Sequence, residues 1–211
     1  MPFVYSLEAQ QALGRLLTQD RLRSYLSASK GDMPEALRLY EYNTRVSECL
    51  FGVIQGLEIA FRNSCHLTIS AGTGRLDWYD HIGLGAQEAE SVTTAKRNLL
   101  RFRKAVTPPG VISELTFGFW VRIISPSYEK KLWVKHLYKA MPRMARADRR
   151  TAFDRMERIR KLRNRIAHHE PIFQRNLKAE YDMIIEATSW ICPVTAQWIH
   201  NTNSFVRGAF R

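Results

Sequence analysis

The stretch GDMPEALRLYEYNTRVSECLFGVIQGLEIAFRNSCHLTISAGTG, residues 31–74, decides the fold. Asp32 can accept the orphan backbone N–H groups of a first helical turn. Pro34 is tolerated in that turn, and Glu35 completes the spacing of a capping box. Leu37, Tyr40, Val46, Leu50, Val53, Ile54, Leu57 and Phe61 then recur mostly at intervals of three or four, the period of one helix face. Gly72, Thr73 and Gly74 end the pattern. The expected product is one helix of roughly ten turns, a bundle spine. Gly52 and Gly56 would either let a neighbour approach closely or bend it.

Working outward, helical periodicity continues in both directions. Upstream, Ser6 is a suitable N-cap for a short helix to Leu17, and a second follows Asp20 with Leu22, Tyr25 and Leu26. Downstream, a loop around 78–85 precedes a helical segment over 86–105, which Pro108, Pro109 and Gly110 break firmly. Segment 114–124 is apolar nearly all round; helix is expected because no second strand-like run exists to pair with it. Segment 130–140 is amphipathic through Leu132, Trp133, Leu137 and Tyr138. Asp148 caps a helix over about 148–169 with Phe153, Met156, Ile159, Leu162 and Ile166 on its core face, and Pro171 stops it. Two C-terminal helices fill about 177–200, the second opened by Pro193. Residues 1–211 thus read as a single all-α helical bundle. Trp120, Trp133, Trp190 and Trp198 fall on apolar faces and are expected in its core.

Composition removes several classes. Apolar residues at 45% and charged residues at 25% are ordinary globular usage, against wholesale disorder. The N-terminus has no basic leader before an apolar run, and no stretch approaches the ~18 apolar residues of a membrane span. Cys49, Cys65 and Cys192 lack CxxC spacing, so neither a disulfide framework nor a cysteine zinc site is expected; a reduced, cytoplasmic protein is. No cofactor or metal is implied.

Charge is the outlier: 32 Lys and Arg against 20 Asp and Glu give +12, and 23 of the 32 are Arg. The planar guanidinium bonds two phosphate oxygens at once, so a polyanion is the first partner to consider, beside a merely soluble basic surface. Nine Arg and one Lys against Asp148, Asp154 and Glu157 place +7 of the charge on residues 143–165. Of these, Arg155, Arg158, Arg160 and Lys161 are candidate RNA-backbone contacts, with a solvated face as the plain alternative. The segment runs into LRNRIAHHEP, residues 162–171. There a histidine can move a proton at neutral pH, and an arginine can steady a phosphate in its transition state. RNA carries its own nucleophile, the 2′-hydroxyl. Five residues rotate a helix by roughly 500°, leaving Arg163 and His168 about 140° apart, whereas Asn164 and His168 share a face. Arg165, about 60° from His168, competes for the phosphate contact. Chance alone supplies roughly 0.65 Arg-x4-His matches in this composition, falling to about 0.02 when Asn must follow the Arg.

In that longer form, Arg163-Asn164-Arg165-Ile166-Ala167-His168 resembles the signature of HEPN-domain proteins, and more narrowly the Abi-like (abortive infection, AbiD/AbiF-type) branch. LEIAFRN at 57–63 resembles the Glu-x3-Arg-Asn of that branch's first long helix. ELTFG at 114–118 and WICP at 190–193 followed by Trp198 are similar to two further stretches. The likeness covers roughly residues 20–205. It implies an all-α bundle of HEPN type, dimeric with a composite active site. It also implies a metal-independent endoribonuclease used in phage defence or as a toxin, restrained by an RNA or protein antitoxin. By the match Arg163 and His168 are catalytic and Asn164 supports them, while His169 offers a second reading frame. A non-catalytic RNA-binding module is the alternative; a DNA-binding regulator is weaker, as no short helix-turn-helix pair is present. Glu58, Arg62 and Asn63, at helical spacing, either brace the motif helix as a polar network or line the site. His66 echoes the motif incidentally.

Overall fold

The computed structural model describes residues 3–203, with Ala147 described by its backbone alone. Among the described residues there is no strand, and the fold is all-α. Helix α1 (Leu7–Leu17) has Ser6 as N-cap, its Oγ accepting from Ala9 N–H, and α2 (Gln19–Ala28) is capped by Thr18. Asp20 therefore lies in the first turn of α2 and does not cap it. The spine, α3 (Met33–Thr73), spans 41 residues, about 60 Å at 1.5 Å per residue. Asp32 Oδ1 accepts from Glu35 N–H at 2.8 Å, and Gly74 ends the helix at φ 68. Only half the capping box forms, because the Glu35 carboxylate turns to Arg38.

Then follow α4 (Ala86–Arg101), α5 (Pro108–Glu114), α6 (Phe117–Arg122), α7 (Arg149–Ala167), α8 (Leu177–Ile191) and α9 (Pro193–Thr202). Val46, Leu50, Val53, Ile54, Leu57, Phe61, Cys65 and Ile69 of α3 are buried in the main core with Met156, Ile159 and Leu162 of α7 and Ile184 of α8. A smaller cluster joins α1 and α2 to the start of α3 through Leu22, Tyr25, Ala36 and Leu37. Gly56 serves close approach, not bending. A Cβ there would meet Ile199 Cδ1 at 2.5 Å, so α9 lies directly on the spine.

Four segments depart from the sequence reading. Helix α4 stops at Arg101, four residues early, where Arg103 turns left-handed (φ 54) and Lys104 N–H bonds the Leu99 carbonyl. Segment 114–124 is not one helix: α5, opened by the Thr107 cap and Pro108, ends at Glu114, Leu115 is extended, and α6 starts afresh. The break lets Leu115, Phe117, Phe119, Trp120, Val121, Ile123 and Ile124 all reach the core, which one straight helix could not do. Segment 130–140 is a widened turn over Glu129–Trp133 and a 3-10 turn over Leu137–Ala140, which seat the neighbours Leu132 and Trp133 inside together. Trp198 is 62% exposed on α9, outside the core, whereas Trp190, half-buried under the Arg155 guanidinium 4.9 Å away, packs against the core as expected.

No helix among the described residues is long and apolar enough to cross a membrane.

Candidate functional site

Helix α7 delivers the motif. Asp148 caps its start through Thr151 N–H at 2.8 Å, and the Thr151 contacts hold the Asp148 carboxyl below its ordinary pKa. Its end is a left-handed cap. His168 is the C-cap, His169 N–H bonds the Ile166 carbonyl, and Glu170 N–H reaches back to the Arg165 carbonyl at 2.8 Å. That motif usually places glycine where the chain turns left-handed, yet here the residue is His169 at φ 56. The conformation costs an ordinary side chain roughly 1–2 kcal/mol. Two contacts and one restriction hold it: Arg21 Nη1 donates to the His169 carbonyl (2.6 Å), Arg165 Nη2 donates to the Pro171 carbonyl (3.2 Å), and Pro171 forbids continuation.

The turn aims the two histidines differently. His168 and His169 are both exposed, but it is His169 that lines a groove of about 750 Å3 with Ile166 and Ala167 of α7. Across it stand Tyr40, Thr44, Ser47, Glu48 and Phe51 of α3. The Arg163 guanidinium sits 5.9 Å from the Phe51 ring centroid, at the edge of this groove, and its Nε donates to Glu58 Oε1 at 3.1 Å. Phe51 thus touches both sides: it lines the groove with His169 and carries Arg163 on its ring, while Arg163 itself is not among the lining residues. His168 occupies the exposed helix end beside it, and Asn164 contributes the carbonyl that accepts His168 N–H.

Glu58 is half-buried, and burial raises its carboxyl pKa above the ordinary value against the opposing charge of Arg163 and Arg62. The pair fixes Arg163 through one nitrogen. Among the described residues its two terminal nitrogens make no hydrogen bond, so their donors are free for an oxyanion. Bracing of α7 from α3 therefore rests on Glu58. Arg62 Nε bonds Asn63 Oδ1 at 3.2 Å, and Asn63 is exposed. His66 belongs to a separate contact, accepting from Trp78 Nε1 at 3.0 Å, and burial lowers its pKa.

The other cations of α7 are engaged inside the molecule. Arg155 pairs with Glu186 of α8; Arg158 pairs with Glu180 of α8 at 3.2 Å, a carboxylate only 3% exposed. Arg160 bonds Glu157 at 2.7 Å and Lys161 lies 3.9 Å from the same carboxylate. Arg165 lies 3.2 Å from Glu170. The density of charge that is conspicuous in the sequence serves largely to clamp α7 to α8 and to itself.

Sequence reasoning missed Asn43 and Phe51. Asn43 is 5% exposed, and its Oδ1 accepts from both Ile172 N–H (2.7 Å) and Phe173 N–H (3.1 Å), tying the loop after the motif to the spine. Phe51 was within reach, lying seven residues before Glu58 on the same helix face. Among the described residues no three of His, Cys, Asp and Glu gather as a metal site. Comparisons of this chain with protein families, with characterised proteins and with solved structures give no match.

Proposed function

We propose that the chain is a metal-independent endoribonuclease of HEPN type, Abi-like, acting in the cytoplasm in phage defence or as a toxin. One observation carries the reading: two exposed imidazoles end the helix that carries Arg163, whose Nε is held by Glu58 while its terminal nitrogens make no hydrogen bond among the described residues. A neutral imidazole takes the 2′-proton, and the 2′-oxygen attacks phosphorus. As the P–O5′ bond breaks, an imidazolium gives its proton to the departing 5′-oxygen. Arg163 stabilises the phosphorane charge between them. The products are a 2′,3′-cyclic phosphate and a 5′-hydroxyl. Acid and base come from His168 and His169 of one chain, or from the same position of two chains in a two-fold dimer. Asn164 holds the helix end, and an RNA or protein antitoxin restrains the enzyme.

The test is cleavage of single-stranded RNA by wild type, His168→Ala and His169→Ala, with folding followed by circular dichroism. Loss of cleavage in a folded variant is expected. Full activity in both variants overturns the assignment, and salt-dependent RNA binding without cleavage by wild type favours a binding module instead.

A further inference from the structure

The cations of α7 are ion-paired, but those of the preceding segment are not. Residues 129–146 carry Lys130, Lys131, Lys135, Lys139, Arg143 and Arg146 against Glu129 alone, and Glu129 lies 3.4 Å from Arg149. All six cations are exposed, and among the described residues none has a carboxylate partner. The irregular backbone arranges them. Leu132 and Trp133, then Leu137, then Ala140 and Met141, then Met144 are buried, while the residues between them, His136 excepted, face solvent. This repeat of four puts Lys131, Lys135, Lys139 and Arg143 in successive outward positions. The neighbouring outward positions hold Val134 and Tyr138, both exposed, with Lys139 Nζ 5.5 Å from the Tyr138 ring centroid. His136, half-buried between the lysines, reports the field: burial first, then Lys135 and Lys139, lower its pKa.

We infer that this ridge, Lys131–Lys135–Lys139–Arg143 with Tyr138, is the surface that binds the sugar–phosphate backbone of single-stranded RNA, with Tyr138 as a stacking platform. Lys131 also donates to the Gly83 carbonyl at 2.5 Å, but none of these cations is neutralised by a carboxylate among the described residues. Such cations release their counterions to a polyanion, whereas ion-paired ones must first give up a carboxylate. An aromatic set among cations suits unpaired bases, whose faces stack on it whatever their sequence. An acidic peptide satisfies the charge without needing the aromatic; an anionic lipid surface could use both, and the vesicle arm of the experiment separates it from RNA. The inference rests on the reading of RNA as the partner and concerns where RNA is held, not how it is cut.

The experiment uses the full chain carrying His168→Ala and His169→Ala as an uncutting background, with a labelled single-stranded oligoribonucleotide titrated at several salt concentrations. Adding Lys135→Gln, Lys139→Gln and Arg143→Gln removes three contacts. The slope of log affinity against log salt should fall by about 2, at roughly 0.7 per phosphate. Tyr138→Ala should weaken binding without changing that slope, and Lys161→Gln should change neither much. Unchanged affinity and slope in the triple variant, or binding of phosphatidylserine vesicles in preference to RNA, overturns the inference. The two readings fail separately. A triple variant of the active chain that binds and cuts as wild type sinks the ridge and leaves the catalytic site standing. Ridge-dependent binding of RNA that is never cut does the reverse.

Discussion

Replacing Asn43 with Ala tests how the spine holds the end of the motif helix in place. Its Oδ1 is the acceptor for two backbone donors 129 and 130 residues away, Ile172 and Phe173. Alanine leaves both without that partner. A buried donor left unmade costs about 1–3 kcal/mol. Ile172 is fully buried and bears the whole penalty, while Phe173 is half-buried and recovers part of it from water, so the sum is about 2–4 kcal/mol. Against a domain stability of roughly 5–15 kcal/mol that is a large share. In urea, with a slope of about 3 kcal/mol/M, the midpoint moves down by about 1 M. The loss is also local. Phe173 stacks on Tyr25 at 5.1 Å, so freeing this loop loosens the segment that follows His169. Amide exchange at Ile172 should accelerate at least about tenfold even where the protein stays folded. Asn43→Asp keeps the accepting oxygens and should retain more stability than the alanine variant. An unfolding free energy within about 0.5 kcal/mol of wild type, with the Ile172 amide still protected, refutes the role given to this side chain.

Other predictions follow from the same contacts. His169→Gly relieves the left-handed strain and should raise stability by about 1 kcal/mol in thermal unfolding, while abolishing or sharply reducing cleavage. Because burial raises the Glu58 pKa, the contribution of Glu58 to stability is fully present below its unfolded value. It is lost as pH rises through the folded one, above the ordinary 4.5. Glu58→Gln should therefore flatten the stability profile in that window, read from urea midpoints at several pH values, and should lower activity by loosening Arg163. Gly56→Ala gains about 1 kcal/mol of helix propensity but drives a Cβ to 2.8 Å from Ile199 Cγ1, an overpacking cost of about 1–3 kcal/mol. The net effect on chemical denaturation should be destabilising by about 1 kcal/mol.

What was legible in the sequence was what local chemistry decides. Asp32, Pro34 and Gly74 bound the spine, and Asp148 and Pro171 bound the motif helix, because caps and breakers act on backbone groups a few residues away. Segments 114–124 and 130–140 defeated periodicity because adjacent residues must both enter the core, and only a broken or widened turn permits it. Trp198 lies on an apolar-looking face that nothing in the described structure covers. The ion pairs of Arg155 and Arg158 with α8 join residues 31 and 22 positions apart, so a basic run that suggests unpaired charge is largely ion-paired within the molecule, although Arg158 and Lys161 stay exposed. The site was half visible. Arg163, Asn164, His168 and Glu58 stand out by type and spacing, whereas the turn of His169 towards the groove depends on a left-handed residue that composition does not announce.

The central claim, transfer within RNA by its own 2′-hydroxyl, is tested most directly by the ends of the products. The purified chain is incubated in EDTA with an RNA, and with the same RNA carrying a 2′-deoxy sugar at the mapped cut. The account predicts a 2′,3′-cyclic phosphate and a 5′-hydroxyl from the first and no cut at that position in the second. A 5′-phosphate with a 3′-hydroxyl, cleavage at the deoxy sugar, or no cleavage of RNA at all contradicts it.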